Sequence, residues 1–481
     1  MSKQVIPDVG TEWDRSSLLW GFRAGGGAPW HLHSPADGSL VQGVCLLSGD
    51  ELEALTRTRQ AVPAEDAGSL AVRLSTALAH LRRPLQQAMV LETGFTVGDC
   101  DEILEGCLDY LDNYSGNISG CFHGDAPPQS YQTSNATRQI RMAVCPWGTV
   151  AVILPQNAFL LLALTCLLNG VAAGNRVILR APLQSARSAA LLATALEMAG
   201  VAPGTVSVAL VRAQDFVEAL YRSPEPCLIH YLGGTKHAPA LLAGAFRHGK
   251  GVLIDGEGNG RVYVGEDAAP GPAAELLTAG ALRYNGQTCT SVNGAVIHPA
   301  IYPVLRDLLA ERWRALRAGN PLTGGAAAVQ VGPLFSEEQA AWCLRQIEES
   351  RGTILSGGRR DGNLLHPTLV EEPSPDSGLV TEGLFGAALW IASGTAEDFV
   401  SGWRGNRYPL CAGVLSPSAD AAWWLARLPN LARLTLNGDP SVESVFEPWG
   451  GYGASGNNPV GAWVDKYRRV LQVDEPFPAD V

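Results

Sequence analysis

The segment best suited to chemistry is Tyr284–Ser291, with the sequence Tyr-Asn-Gly-Gln-Thr-Cys-Thr-Ser. Cys289 stands there in a small, polar, glycine-containing loop, between a predicted helix and a predicted strand at Gly294–His298. A thiol acts as a nucleophile when it is accessible and when nearby donors favour the thiolate. The loop offers both conditions, so Cys289 is the candidate nucleophile.

The other nine of the ten cysteines show no CxxC pair and no regular spacing. Cys45 and Cys166 lie in apolar runs, which is typical of small buried side chains. His31 and His33 alternate as they would in a strand and have no third ligand nearby, so we expect no metal site.

The run Asn-Gly-Gln-Thr-Cys that ends at Cys289 resembles the nucleophile loop of the aldehyde dehydrogenase superfamily, and this chain is identified as a divergent member. The resemblance implies an enzyme that oxidises an aldehyde through a Cys289 thioester with a nicotinamide cofactor. Other segments similar to family signatures follow in the family's order: Pro146–Gly148, Ile153–Asn157, Ala172–Arg180, Tyr231–Thr235, Val331–Leu334, Leu384–Gly386, Leu436–Asn437 and Pro448–Gly456.

The resemblance also implies an oxyanion hole formed by the Asn157 amide and the backbone N–H of Cys289. Hydride leaves from a tetrahedral thiohemiacetal, whose negative oxygen needs fixed donors until the carbonyl reforms. An ordinary Asx turn after Pro155 is the alternative interpretation of Asn157.

The cofactor residues are implied in the same way. Arg180 takes the place of a family lysine on the adenosine ribose, and Phe385 the place of a residue that packs near the nicotinamide. Gly233 and Gly234 match a turn whose backbone amides meet the pyrophosphate, although an ordinary strand-to-helix turn is the alternative. Pro155 is assigned to the cofactor site as well.

The base and the ribose contacts depart from the family pattern. Asp255, 34 positions before Cys289, falls where hydrolysing members have a glutamate, so water attack would be slow or would pass through Glu257. Leu183 and Gly383 replace two glutamates that serve NAD. Loss of the carboxylate at 183 removes repulsion against a 2′-phosphate, so the cofactor is NAD or NADP, unless its site has decayed.

The elements that position these residues are strands alternating with helices, which predicts a parallel sheet covered on both faces. The predicted strands are Thr149–Leu154, Arg176–Leu179, Val206–Val211, Cys227–Tyr231 and Gly251–Ile254. Helices are predicted before this sheet at Leu70–Leu81 and Pro84–Glu92, closed by Gly94. Two polar, alternating segments, Gln129–Met142 and Lys466–Val473, suit exposed strands that need a partner, such as a strand of another subunit.

We therefore expect an α/β fold with a Rossmann-like cofactor domain, an α/β catalytic domain and a β-strand oligomerisation arm that assembles a homodimer or homotetramer. The expected cofactor domain is 1–128 with 143–255, and the catalytic domain is 256–440. The arm is 129–142 with 457–481, and 441–456 returns to the active site.

Charge and composition exclude several partners. The net charge is −12, with 47 acidic and 35 basic residues, and no basic run resembles a nucleic-acid surface. Residues 1–14 show no secretory pattern, and the apolar stretch Phe159–Leu168 is shorter than the roughly 20 residues of a membrane helix. We expect a cytoplasmic protein whose partner is a small aldehyde, with neither nucleic acid nor membrane.

Two alternatives stay open. One is a dehydrogenase that transfers the acyl group to coenzyme A, or a thioester reductase. The other is a catalytically impaired binding or structural protein with the same fold.

Overall fold

The computed structural model describes residues 26–57, 65–118, 129–132, 137–323 and 329–475. The described part of the chain starts with an antiparallel hairpin, which three helices follow. These elements are β1 (Pro29–His33), β2 (Leu40–Cys45), α1 (Gly49–Arg57), α2 (Ala67–Thr93) and α3 (Val97–Ile118). The strand expected at His31 and His33 is confirmed by β1.

Helix α2 corrects one expectation, because Pro84 lies inside a single 27-residue helix and does not separate two helices. The Asp66 side chain accepts from the N–H of Ser69 at the first turn. Gly94, with φ 70°, ends the helix as expected. A buried stripe outweighs the hydrogen bond that the proline lacks; its members are Leu70, Leu74, Leu78, Leu81 and Leu85.

Alternation of strand and helix then builds a five-stranded parallel sheet. After β3 (Gln129–Gln132) and β4 (Thr137–Pro146) come β5 (Thr149–Ile153), α4 (Phe159–Ala172), β6 (Arg176–Ala181), α5 (Ala186–Met198), β7 (Val206–Leu210), α6 (Ala213–Arg222), β8 (Cys227–Leu232), α7 (Ala238–Arg247) and β9 (Gly251–Asp255). The strand order is β7-β6-β5-β8-β9. The predicted Rossmann-like sheet is confirmed.

The second α/β region forms a seven-stranded sheet. Its elements are β10 (Gly260–Val264), α8 (Pro270–Leu282), β11 (Val292–Ile297), α9 (Tyr302–Arg314), α10 (Glu337–Glu349), β12 (Thr353–Ser356), β13 (Arg360–Asp361), β14 (Leu364–Leu365), β15 (Thr368–Glu371), α11 (Gly378–Thr381), β16 (Ala388–Ser393), α12 (Ala396–Trp403), β17 (Cys411–Leu415), α13 (Ala421–Leu425) and β18 (Arg433–Leu436). The order is β12-β15-β16-β11-β10-β17-β18, and only β12 runs antiparallel to its neighbour. Each large sheet has its own buried apolar cluster.

The end of the chain returns to the first region through β19 (Trp449–Gly451), β20 (Asn458–Gly461), α14 (Trp463–Lys466) and β21 (Arg468–Glu475). Strand β21 pairs with β4, and β4 pairs with β3 on its other side. The two polar strand segments thus find their partner in each other, within one chain. No helix in the described part of the chain is both long and apolar enough to span a bilayer.

Candidate active site

The nucleophile loop joins α8 to β11 and is held in an unusual backbone conformation. Tyr284 (φ 52°) and Asn285 (φ 59°) both lie in the left-handed region, which costs free energy for residues with side chains. The buried Asn285 amide fixes the loop, since its Nδ2 donates to the carbonyl oxygens of Gly94 (3.2 Å) and Pro333 (3.1 Å). Its Oδ1 accepts from the N–H of Gly332 (2.7 Å).

The loop also packs against the segment that carries the predicted nicotinamide contact. Gly286 lies so close to the carbonyl group of Gly386 that a side chain at 286 has no room. Gln287 Oε1 accepts from the N–H of Phe335 (3.0 Å), whose ring centroid lies 6.3 Å from that of Phe385. The structure therefore brings Phe385 beside the nucleophile loop.

The Cys289 thiol is half-buried at the end of this loop. Burial raises the pKa of the thiol well above its usual value, and the charges of Glu443 and Asp255 act in the same direction. The sulfur therefore rests as a thiol, and a base must take its proton before it can attack a carbonyl carbon.

Exposure alone does not single out Cys289. Cys45 and Cys145 are half-buried as well, the six remaining cysteines of the described residues are buried, and Cys121 lies outside the described residues. Within those residues no three His, Cys, Asp or Glu side chains are grouped in a way that could hold a metal ion.

Three of the predicted site positions follow the carboxyl ends of neighbouring parallel strands. Asn157 follows β5, the Gly233–Gly234 turn follows β8, and Asp255 ends β9, in a sheet where β8 lies between the other two. Ligands of open α/β sheets bind at this edge. The nucleophile loop faces it, because Gly258 packs directly on the carbonyl group of Cys289.

Asn157 has a side chain that is available to a ligand. The residue is half-buried, and no residue in the described ranges forms a hydrogen bond with its amide. Its neighbour Gln156 is fixed, with Nε2 donating to the carbonyl oxygen of Glu92 (2.8 Å). An unpaired amide on a fixed turn is what an oxyanion donor requires.

Asp255 is buried in a hydrogen-bond network that the sequence did not indicate. Its carboxylate accepts from His230 Nε2 (2.6 Å) and from Asn458 Nδ2 (2.9 and 3.0 Å). With Nε2 protonated, the other ring nitrogen of His230 accepts from the Tyr467 hydroxyl (2.7 Å). Lys466 Nζ donates to Asn458 Oδ1 (2.7 Å), and burial lowers the pKa of this ammonium to about 8 against the opposing charge of Asp255.

Glu257, the other candidate base, points to the predicted phosphate turn. Its Oε2 accepts from the N–H of Thr235 (3.1 Å), and an ideal Cβ on Gly234 would lie 3.7 Å from Oε1. The carboxylate lies near two phenols: burial raises the pKa of Tyr231 and of Tyr408 to about 12, and the Glu257 charge adds to each shift.

Of the residues at the predicted ribose positions, Arg180 and Leu183 lie at the same sheet, whereas Gly383 lies in the second α/β region. Arg180 Nε donates to the carbonyl oxygen of Val211 (2.9 Å), and burial lowers the pKa of its guanidinium to about 10. Leu183 is part of the apolar core. Gly383, with φ 73°, leaves no room for a side chain, since an added Cβ would lie 2.8 Å from Asn259 Cγ.

Glu443 is a site residue that the sequence analysis missed. Its segment reaches the nucleophile loop, where the Thr290 hydroxyl donates to the carbonyl oxygen of Ser441 (3.5 Å). Glu443 pairs with Arg433 (3.6 Å), and 33% of its side chain is exposed. Partial burial of the carboxyl group is the main cause that raises its pKa to about 7. No local pattern could have marked it, because its closeness to Cys289 arises only from the fold.

The fold and the site together define an α/β enzyme with a cysteine placed at the carboxyl edge of a nucleotide-binding type of sheet. The chain belongs to the aldehyde dehydrogenase family, whose model matches residues 52–473. Members of this family are oxidoreductases that act on aldehydes.

Individual relatives are distant. The chain is 27% identical over 319 residues to a sulfoacetaldehyde dehydrogenase of Neptuniibacter caesariensis, covering 65% of this chain and 68% of that protein. It is 25% identical over 442 residues to an aspartate-semialdehyde dehydrogenase of Pseudomonas canavaninivorans, covering 89% and 92%. The solved structure of an NAD-dependent aldehyde dehydrogenase from Sinorhizobium meliloti superposes with a TM-score of 0.86 at 22% identity, covering 97% and 96%, which supports the fold.

Proposed function

We propose that this protein oxidises an aldehyde to a carboxylic acid through a thioester on Cys289, with NAD or NADP as the hydride acceptor. One observation carries the proposal. The nucleophile loop faces the sheet edge where the Asn157 amide lies without a hydrogen-bond partner among the described residues.

The deprotonated sulfur of Cys289 attacks the carbonyl carbon, and the carbonyl oxygen becomes an oxyanion. Asn157 Nδ2 and the backbone N–H of Cys289 donate to that oxyanion. Loss of hydride from the same carbon reforms the C=O bond and leaves a thioester. Water then adds to the thioester, the C–S bond breaks, and the acid and the thiol are released.

The residues fit the cofactor. Arg180, Pro155, the Gly233–Gly234 turn and Phe385 would hold it, and the Thr235 N–H already binds an anionic group, the carboxylate of Glu257. NAD or NADP, when bound, supplies the acceptor for the hydride. The missing carboxylate at Leu183 leaves both cofactors open.

Asp255 is the better placed of the two candidate bases. Its charge acts on the Cys289 thiol, whereas the carboxylate of Glu257 accepts a hydrogen bond from the N–H of Thr235. In single-turnover mixing with excess enzyme, Asp255→Asn should slow acid release after the cofactor is reduced, and Glu257→Gln should not. The reverse pattern would assign the base to Glu257.

The central experiment is an assay of cofactor reduction by absorbance over an aldehyde panel. Cys289→Ser should abolish turnover, and Cys145→Ser, at another half-buried cysteine, should leave it unchanged. Substantial turnover by Cys289→Ser would refute the proposal.

Acyl transfer to coenzyme A is the second candidate, and one observation favours it. His230 and Asn458 both donate to the Asp255 carboxylate, so these donors compete with a water molecule for its oxygens. Product analysis with and without coenzyme A decides between the free acid and the acyl thioester.

The paired arm strands support assembly into a homodimer or homotetramer. Met142, Val470 and Leu471 are 42–57% exposed on this small sheet, although they are large and apolar. Sedimentation of the wild-type protein and of Val470→Asp tests this: the wild type should sediment as an oligomer and the variant should dissociate. A monomeric wild type would exclude it.

A further inference from the structure

The carboxylate of Glu257 occupies the position that an anionic ligand would take at the turn after β8. Its Oε2 lies 3.1 Å from the backbone nitrogen of Thr235, the first N–H beyond the two glycines. Backbone N–H groups at such a turn bind phosphate through the same interaction. One N–H cannot serve a carboxylate and a phosphate at the same time.

The arrangement is held by more than one hydrogen bond. The backbone N–H of Glu257 donates to Thr235 Oγ1 (3.3 Å), and that hydroxyl donates to the carbonyl oxygen of Ala454 (2.8 Å). The Tyr231 hydroxyl donates to the carbonyl oxygen of Gly234 (2.9 Å) and so fixes the turn itself. The carboxylate is therefore part of an ordered cluster at the site.

We infer that Glu257 acts as an internal competitor for the dinucleotide and lowers the affinity of this chain for NAD and NADP. The inference rests on the proposed function, because it concerns the phosphates of the proposed cofactor. A pyrophosphate reaches the Thr235 N–H only after Glu257 has left, and a carboxylate that stays nearby repels it.

One cation lies within the electrostatic range of Glu257. The charge of Glu257 acts on the guanidinium of Arg407, which is paired with Glu382 (2.6 Å) and 56% exposed. Cofactor binding therefore exchanges one charge-assisted hydrogen bond of Glu257 for a weaker, solvent-screened attraction to Arg407.

Calorimetric titration of the full chain with NAD and with NADP tests the inference. Glu257→Ala should bind either dinucleotide about 10- to 100-fold more tightly than the wild type, the equivalent of one charge-assisted hydrogen bond. Glu257→Gln should lie between the two, because its amide oxygen is neutral but can still accept from Thr235. Glu348→Gln, on the exposed face of α10, removes the same charge at a distance and should match the wild type.

The outcomes separate the inference from the proposed function. Measurable wild-type binding that neither Glu257 variant strengthens overturns the inference and leaves the proposed function in place. Equal strengthening by Glu348→Gln also overturns it, because net charge would then be the cause. If no variant binds a dinucleotide, the inference and the proposed cofactor both fail.

Discussion

Replacing Asn285 by alanine should remove the hydrogen bonds that hold the nucleophile loop and lower the free energy of unfolding by about 4–6 kcal/mol. The N–H of Gly332 would lose its 2.7 Å acceptor while buried, which costs about 1–3 kcal/mol. The carbonyls of Gly94 and Pro333 would lose their donors, at about 1 kcal/mol each. Alanine in the left-handed region adds about 1 kcal/mol.

A second asparagine separates the two causes. Asn430 has the same φ of 59° but is exposed, so Asn430→Ala should cost only the left-handed term of about 1 kcal/mol. Urea unfolding of both variants gives the two free energies. Equal losses would show that the Asn285 hydrogen bonds do not hold the loop, and the loop geometry would then need another cause.

Three further substitutions should change, each in a stated direction, the reaction rate, the pH profile of thiol alkylation or the pH dependence of stability. Asn157→Ala should lower the steady-state rate by about 10²- to 10³-fold, the usual cost of one oxyanion donor, and a loss below about threefold would remove Asn157 from the site. Glu443→Gln removes a charge that raises the pKa of Cys289, so the pH profile of Cys289 alkylation by iodoacetamide should move to lower pH; an unchanged profile contradicts this. Burial raises the pKa of Glu92 from 4.5 to about 7, so the folded state keeps a proton that the unfolded state releases. As the pH rises from about 4.5 through about 7, the free energy of unfolding of the wild type should therefore fall by up to about 3 kcal/mol relative to that of Glu92→Gln. Urea unfolding at several pH values measures both free energies. A difference that does not change with pH would refute the prediction.

The fold was predictable where its signals are local. The five strands of the first sheet were placed within two residues, because apolar runs and flanking turns set their bounds. The prediction of a helix boundary at Pro84 is wrong because the effect of a proline depends on tertiary packing, and the leucine stripe of α2 is buried on both sides of Pro84. The pairing of β4 with β21 also escaped prediction, since these strands are more than 300 residues apart.

The residues of the candidate site also fall into two groups, those that local motifs indicate and those that only the fold brings together. Cys289 and Asn157 stand in short motifs that can be recognised along the chain. The partners of Asp255 cannot, because His230 lies 25 residues before it and Asn458 lies 203 residues after it. Glu257 is the alternative base on sequence grounds, two residues after the position that the spacing gives to Asp255, and only the structure shows that its carboxylate accepts from the N–H of Thr235.

The carboxyl edge of the first sheet is completed by the end of the chain. Two hydrogen bonds hold the backbone on either side of Asp255. The carbonyl oxygen of Ser455 accepts from the N–H of Gly256 (2.8 Å), and Asn457 Oδ1 accepts from the N–H of Ile254 (2.7 Å). The carbonyl oxygen of Ala454 accepts from the hydroxyl of Thr235 (2.8 Å), the residue whose N–H donates to Glu257. One short segment therefore positions both acidic side chains, the one in the buried network and the one on the phosphate turn. Because that segment is about 200 residues away in sequence, these contacts are non-local, and they form only when the chain has returned from the second α/β region to the first sheet.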